Sequence, residues 1–127
     1  YYVTACTNDA MQYAVLESLE KAPDYPEKMC AEFKERRDLI CERLNAIPGV
    51  TCHVPTGAFY VFPKVEIPGL NSEEIALRLL EGGVLCSPGT AFGEAGEGHL
   101  RFAYTIGRED ISRGMDRVEA VLSELRG

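Results

Sequence analysis

One arginine near the end of the chain has the residue type and the setting to bind an anion. Arg101 lies in a run from His99 to Tyr104 in which apolar residues alternate with others, a pattern typical of a strand. A guanidinium cannot lose its charge, so it is costly to bury near a sheet centre unless an anion meets it. Its planar fork of donors matches a carboxylate at two points. Arg101 is therefore a candidate carboxylate-binding residue.

The competing interpretation places Arg101 on a solvated face, pointing into solvent with or without a nearby glutamate beside it. Surface arginines are much commoner than functional ones, so composition alone favours this second interpretation. The residues themselves leave both open.

Other polar residues lack a pattern that would support catalysis. His53 and His99 have candidate partners in Cys86 and Ser87, but no nucleophile-elbow motif surrounds them. The glycine-rich stretch from Thr90 to Gly98 does not follow a strand and open a helix, as phosphate-binding loops do. Turn glycines explain that stretch better.

The lysines and cysteines indicate ordinary structural roles. The lysines lie on charged helices or follow a proline, so none has the apolar pocket of a Schiff-base lysine; they are Lys21, Lys28, Lys34 and Lys64. The cysteines form no C-x-x-C pair and have apolar neighbours, which predicts buried thiols in a reducing compartment rather than a metal site; they are Cys6, Cys30, Cys41, Cys52 and Cys86.

Size and charge restrict the partners of this chain. It has 127 residues, 46% hydrophobic and 26% charged, with a net charge of −7, which fits a globular domain. That charge would repel nucleic acid and anionic lipid. No apolar run is long enough to cross a bilayer and no leader pattern opens the chain. We therefore expect a cytoplasmic protein with neither nucleic acid nor membrane as partner. Because the sequence starts at Tyr1 without an initiator methionine, we also expect it to be a piece of a longer protein.

Local signals predict four helices. Thr7 or Asn8 caps the first, which Pro23 ends. The second begins with a capping-box pattern at Asp24 and ends at Pro48-Gly49. A third helix starts at Asn71 with a second capping box, and the last starts at Gly107 and carries an apolar stripe to the end of the chain.

Strand signals lie between these helices. Val50 to Val54 alternates and, after the Pro55-Thr56-Gly57 turn, leads to an apolar run at Ala58 to Phe62, which predicts a hairpin with a buried second strand. Val84 to Cys86 and His99 to Tyr104 are two further strands. The expected fold is α+β, with helices packed on a small mixed sheet of about four strands.

Three runs in this order resemble the C-terminal part of class I/II aminotransferases of the aspartate aminotransferase fold. They are PTGAFYVFP at 55–63, GVLCSPGTAFG at 83–93 and GEGHLRF at 96–102. Residues 8–19 and 33–38 are similar to the stretch that leads into that domain. The resemblance covers nearly the whole chain and implies the small domain of a fold-type I pyridoxal-phosphate (PLP) enzyme.

The resemblance implies a role for particular residues. Arg101 matches the family arginine that binds the substrate α-carboxylate, and Phe59 matches the aromatic residue near the bound substrate. Pro88, Gly89 and Phe92 match a loop that supports the arginine. With this match, carboxylate recognition becomes the favoured interpretation of Arg101.

The resemblance also implies what this chain lacks. The family's PLP lysine, its phosphate-binding residues and its ring-stacking aromatic belong to a larger upstream domain. Residues 1–25 would then be the last helix of that domain and a linker, and residues 26–127 the small domain. The implied enzyme moves an amino group between an amino acid and a 2-oxo acid, uses PLP, and is a homodimer when intact; the fragment alone would be inactive.

Two alternatives remain open from the sequence. A stand-alone regulatory module would bind an amino acid with the same arginine, and the amino acid would then raise its melting temperature. A related PLP lyase or decarboxylase would keep the cofactor and change the reaction.

Overall fold

Side-chain caps open two of the helices in the computed structural model, which describes residues 7–127. Asn8 caps α1 (Asp9–Lys21) by accepting from Met11 N–H, and the Asn71–Glu74 capping box opens α3 (Ser72–Glu81). The other two helices are α2 (Tyr25–Ala46) and α4 (Arg108–Glu124), and α4 follows Gly107 without a side-chain cap. These starts agree with the sequence patterns.

Contacts divide the chain into two units, residues 1–32 and residues 33–127, with the boundary inside α2. In the first unit, α1 buries none of its side chains, so its predicted apolar stripe is exposed. No helix among residues 7–127 has the length and apolarity of a membrane span.

The core of the second unit combines one face of each helix in it with buried residues of the strands. The stripe of α4 is buried as predicted, and it packs with buried residues of α2 and α3. Each fully buried aliphatic side chain contributes about 1.5–3 kcal/mol. The most completely buried aliphatic residues are Leu44, Leu79, Leu100, Val118 and Leu122.

Within residues 7–127, five short strands form two antiparallel sheets. β1 (Val50–Thr51) pairs with β3 (Lys64–Val65). The second sheet has the order β2 (Tyr60–Val61), β5 (Leu100–Ala103), β4 (Ser87–Pro88). The α+β class is confirmed, although the strands form two antiparallel sheets instead of one mixed sheet.

The predicted hairpin between Val50–Val54 and Ala58–Phe62 is wrong. The side chain of Asn45 takes both backbone groups of Cys52, accepting from its N–H at 2.8 Å and donating to its carbonyl at 2.9 Å. These groups are then unavailable to a partner strand, and Val54 is 54% exposed. The second strand is also less buried than expected, because only Val61 of β2 is buried.

The strand predicted at Val84–Cys86 is also displaced. Strand pairing begins at Ser87, where β4 meets β5. Val84 N–H instead donates to the Leu79 carbonyl at 2.8 Å. This bond continues the end of α3, so regular pairing starts later than the apolar run.

The turn that enters β2 is held by a buried tyrosine. Ala58 has a φ of 62°, a left-handed conformation that is unfavourable for a residue with a Cβ. The Tyr104 hydroxyl donates to the Ala58 carbonyl at 2.9 Å, and Tyr104 N–H donates to the Phe59 carbonyl at 3.0 Å. Tyr104 therefore fixes the turn that positions Phe59 and Tyr60.

Replacing Tyr104 with phenylalanine should lower the free energy of unfolding by about 1 kcal/mol, because the Ala58 carbonyl loses its buried donor. Urea unfolding of the two chains measures this difference. Tyr25→Phe, at an exposed tyrosine on α2, is the matched control. Equal midpoints for Tyr104→Phe and wild type would contradict the role given to this hydroxyl.

Candidate carboxylate-binding site

Arg101 lies on the central strand of the three-stranded sheet. Its neighbours Leu100 and Phe102 are buried, and Arg101 itself is half-buried on the opposite face. On one side β4 places Ser87 opposite Arg101, and on the other side β2 pairs Tyr60 with Ala103. The strand alternation that predicted this orientation is therefore present.

Two aromatic rings flank the Arg101 guanidinium. Its Cζ lies 4.5 Å from the ring centroid of Tyr60 and 4.4 Å from that of Phe92. Arg101 Nη2 also donates to Ser87 Oγ at 3.3 Å. Within residues 7–127, no ion pair involves Arg101. The pairing with a glutamate that the competing interpretation allowed is therefore absent from the described residues.

The turn that carries Phe92 to Arg101 packs closely against a second turn, and the contact is made by Gly89 of the first turn and Gly96 of the second. Gly89 N–H donates to the His99 carbonyl at 2.8 Å, which continues the β4–β5 pairing into the turn. A Cβ built on Gly89 would lie 1.9 Å from the Gly96 carbonyl oxygen, and one on Gly96 would lie 2.1 Å from the Gly89 oxygen. Only glycine allows this approach. The turn Gly89–Phe92 is thereby held against the end of β5.

The remaining aromatic residues extend this face of the sheet. Phe59 is 42% exposed and its ring lies 4.6 Å from that of Tyr60, so it meets Arg101 through Tyr60. Phe62 stacks on His99 at 5.1 Å and contacts Phe92 edge-on at 6.1 Å. Phe59, Phe62, Tyr60 and Phe92 leave an exposed aromatic surface around one positive charge.

Sequence reasoning selected Arg101, Phe59 and Phe92 but did not give Tyr60 or Ser87 a place beside the arginine. The signal for Tyr60 was its alternation with the buried Val61, which puts it on the face opposite the core. Ser87 had no such signal, because it contacts Arg101 only through the β4–β5 register.

The loop that precedes β5 is anchored by a carboxylate. Glu97 accepts from Ser72 N–H at 2.8 Å, from Gly98 N–H at 2.9 Å and from the Ser72 hydroxyl at 3.1 Å. The two backbone N–H bonds lead the causes that lower the pKa of Glu97 from its ordinary value of 4.5, and the hydroxyl adds to them. Glu97 therefore ties the start of α3 to the loop that enters β5.

Glu97→Gln should destabilise the chain at pH 7, because the ionised form makes these bonds. A carboxylate with a lowered pKa stabilises the fold above its ordinary pKa, and this contribution disappears as the pH falls through the lowered value. The difference in urea midpoint between wild type and Glu97→Gln should therefore shrink when the pH drops from 7 to below 4.5.

The control for this pH dependence is Glu42→Gln, at an exposed glutamate on α2. Its midpoint should stay near that of wild type at pH 7. A gap between wild type and Glu97→Gln that stays constant over the whole pH range would contradict the proposed role of the carboxylate.

The buried thiols are not arranged for metal binding or attack. Sγ of Cys52 lies 3.9 Å from Sγ of Cys41, and burial raises the pKa of Cys52 to about 12 and that of Cys86 to about 11. These groups are thiols at neutral pH. Contrary to prediction, Cys86 is only half-buried and Cys30 is exposed, and Cys6 lies outside the described residues. Within residues 7–127, no three potential ligands converge on a metal position.

The lysines do not fit PLP binding. All four are exposed, and Lys21, Lys28 and Lys64 form ion pairs with nearby acidic residues. A Schiff-base lysine needs a desolvated pocket that lowers its pKa, and the described residues offer none around any of these lysines. The cofactor that the resemblance implies is therefore not held by this chain's own lysines.

A cavity of about 480 Å³ lies away from Arg101, between β5 and α4. Its lining includes Val84, Leu85, Phe102, Ile106 and Met115. It offers mostly apolar side chains and does not include the arginine, so it is separate from the candidate site.

Comparison with known proteins identifies the family. The family model described as "Aminotransferase class I and II" matches residues 1–118. The chain belongs to this family. It is 40% identical over 126 residues to "Aromatic-amino-acid aminotransferase 2" of Thermococcus litoralis and equally to "Aspartate aminotransferase" of Pyrococcus abyssi. Both alignments cover 97% of this chain and 32% of the relative.

Solved structures agree with this assignment to the class I and II aminotransferases. An alanine aminotransferase from Pyrococcus furiosus superposes with a TM-score of 0.86 at 40% identity, covering 94% of this chain and 31% of that protein. The aspartate aminotransferase from Rhizobium meliloti gives a TM-score of 0.84 at 29% identity, covering 94% of this chain and 32% of that protein. The chain thus spans about a third of the length of these aminotransferases, and the resemblance seen in its motifs is confirmed.

Proposed function

We propose that this chain is the C-terminal small domain of a PLP-dependent aminotransferase and that Arg101 binds the substrate α-carboxylate. The observation that carries the proposal is the Arg101 guanidinium, flanked by two rings, bonded to a neutral hydroxyl and not neutralised by a carboxylate of residues 7–127. Such a group is prepared for an anionic ligand. Residues 1–25 would belong to the large domain and residues 26–127 to the small one.

The relatives support the class of substrate. Proteins of about equal identity to this chain carry the names of aromatic amino acids and of aspartate, and a related structure carries the name of alanine. The side chains of these amino acids differ widely, and what they share is the α-amino acid group. An arginine that contacts only the α-carboxylate would bind each of these amino acids.

In the proposed mechanism this chain binds and orients the substrate. PLP, held by residues outside this chain, would supply the electron sink for the exchange of the amino group between an amino acid and a 2-oxo acid. Two parallel N–H bonds from Arg101 fix the carboxylate, and with it the direction of the reacting bond. The aromatic surface around Arg101 excludes water from that ion pair, which strengthens it. Phe59 contributes to this surface beside Tyr60.

The proposed reaction can be tested with the complete enzyme. Incubation with an amino acid and 2-oxoglutarate should give glutamate and the matching 2-oxo acid in equal amounts, which chromatography measures over time. Omitting 2-oxoglutarate is the control, because transfer needs an acceptor and should stop after one turnover. Release of carbon dioxide or of ammonia without glutamate would contradict transamination and favour the decarboxylase or lyase alternative.

A further inference from the structure

The contacts of Arg101 restrict how its guanidinium can turn. The two rings come from different elements, since Tyr60 belongs to β2 and Phe92 to the turn after β4. The strands β2 and β4 lie on opposite sides of β5 in the sheet order. A ring centroid within 4.5 Å of Cζ is close enough for stacking against the flat guanidinium. The side chain is therefore confined from both sides of its own strand.

The one described hydrogen bond of the guanidinium restricts its rotation further. Arg101 Nη2 donates to Ser87 Oγ at 3.3 Å, and Ser87 faces Arg101 across the β4–β5 register. The N–H donors of a guanidinium lie in its plane, and Ser87 occupies one of them, so the remaining donors point outward along its edge. A planar carboxylate binds best along that edge, with two parallel bonds.

We propose that Tyr60 and Phe92 are positioning residues that hold the Arg101 guanidinium in one plane, so that the substrate carboxylate meets its edge without further ordering. This inference rests on the proposed function of Arg101, adds Tyr60 to it, and states how Phe92 of the supporting loop would act. A long arginine side chain loses rotamer freedom when it binds. The rings restrict that freedom before the ligand arrives, so their effect should appear as affinity for carboxylates.

Binding of unreactive acids to the complete enzyme measures this effect. We would titrate with 3-phenylpropionate and maleate, both of which lack an amino group, and follow the dissociation constant of the tighter-binding acid by calorimetry. Tyr60→Leu and Phe92→Leu, each made singly, should weaken binding about fivefold to tenfold. Tyr60→Phe and Phe92→Tyr keep a ring over the guanidinium and should stay within about twofold of wild type.

Repeating the ring substitutions together with Arg101→Ala separates positioning from general structure. If the rings act through Arg101, removing either ring in this background should change the dissociation constant no further. If Tyr60→Leu and Phe92→Leu weaken binding as much in the Arg101→Ala background as in the wild-type background, the positioning role is overturned and the proposed function stands. If Arg101→Ala alone leaves carboxylate binding unchanged, the proposed function of Arg101 and the positioning role both fail.

Discussion

Replacing Arg101 with lysine in the complete enzyme is expected to lower kcat/KM for the amino acid. The loss should correspond to about 2–4 kcal/mol of transition-state stabilisation. A lysine keeps the charge but replaces the planar fork by a single ammonium, so the two parallel bonds to the carboxylate are lost. It also lacks the planar group that can stack on the rings of Tyr60 and Phe92, whose centroids lie 4.5 and 4.4 Å from the Arg101 Cζ. Steady-state kinetics with a saturating 2-oxo acid measures the loss.

The control for this experiment is Arg113→Lys. Arg113 is an exposed arginine on α4 that pairs with Asp110 on the same helix, and its exchange should leave kcat/KM unchanged. An amine that lacks a carboxylate should react equally with wild type and with Arg101→Lys. Unchanged kcat/KM for the amino acid in Arg101→Lys would remove Arg101 from the substrate site.

Gly89→Ala is expected to destabilise the chain by about 3 kcal/mol or more. The new Cβ would lie 1.9 Å from the Gly96 carbonyl oxygen and 2.8 Å from that of His99. Both atoms belong to the backbone, so no side chain can rotate away, and the two turns must separate. Urea unfolding measures the loss, and the same movement should displace Phe92 from Arg101 and weaken carboxylate binding in the complete enzyme.

Gly114→Ala is the matched control for this substitution. Gly114 lies within α4, and a Cβ there would have nothing within 4 Å. Alanine is a better helix former than glycine, so this variant should be about 0.5–1 kcal/mol more stable than wild type. If Gly89→Ala lowers the free energy of unfolding and Gly114→Ala raises it, the loss at Gly89 can be assigned to its contact with Gly96. A stable Gly89→Ala chain would contradict the close approach of the two turns.

Helix starts were predictable because the groups that fix them are close in sequence. Asn71 and Glu74 exchange bonds across one helical turn, so a short stretch carries the whole signal. The same holds for Asn8, whose side chain accepts from Met11 N–H. Such pairs can be found in the sequence without any knowledge of the fold.

Strand partners were not predictable on the same basis. The turn residues after Val54 suggested a hairpin, but the side chain of Asn45 takes the backbone groups of Cys52 and β1 pairs with β3. An asparagine near the end of a helix carries no sign that it will compete with a strand. Its effect depends on how α2 packs, which is a property of the whole core.

The candidate site was predictable in part. Alternation placed Arg101 on the face opposite Leu100 and Phe102, and the motif resemblance gave it a ligand. Its contacts with Tyr60 and Ser87 depend on two strand registers that join distant parts of the chain. Single-sequence patterns do not encode register between distant strands, so these neighbours required the structure.

The position of β5 has a consequence for protein synthesis. Both outer strands of its sheet, β2 and β4, leave the ribosome before the strand that lies between them. A nascent chain that stops before Leu100 therefore carries two strand edges that have no partner in this sheet, and such edges promote aggregation. Premature termination in this region should therefore leave a chain that aggregates more readily than the complete one.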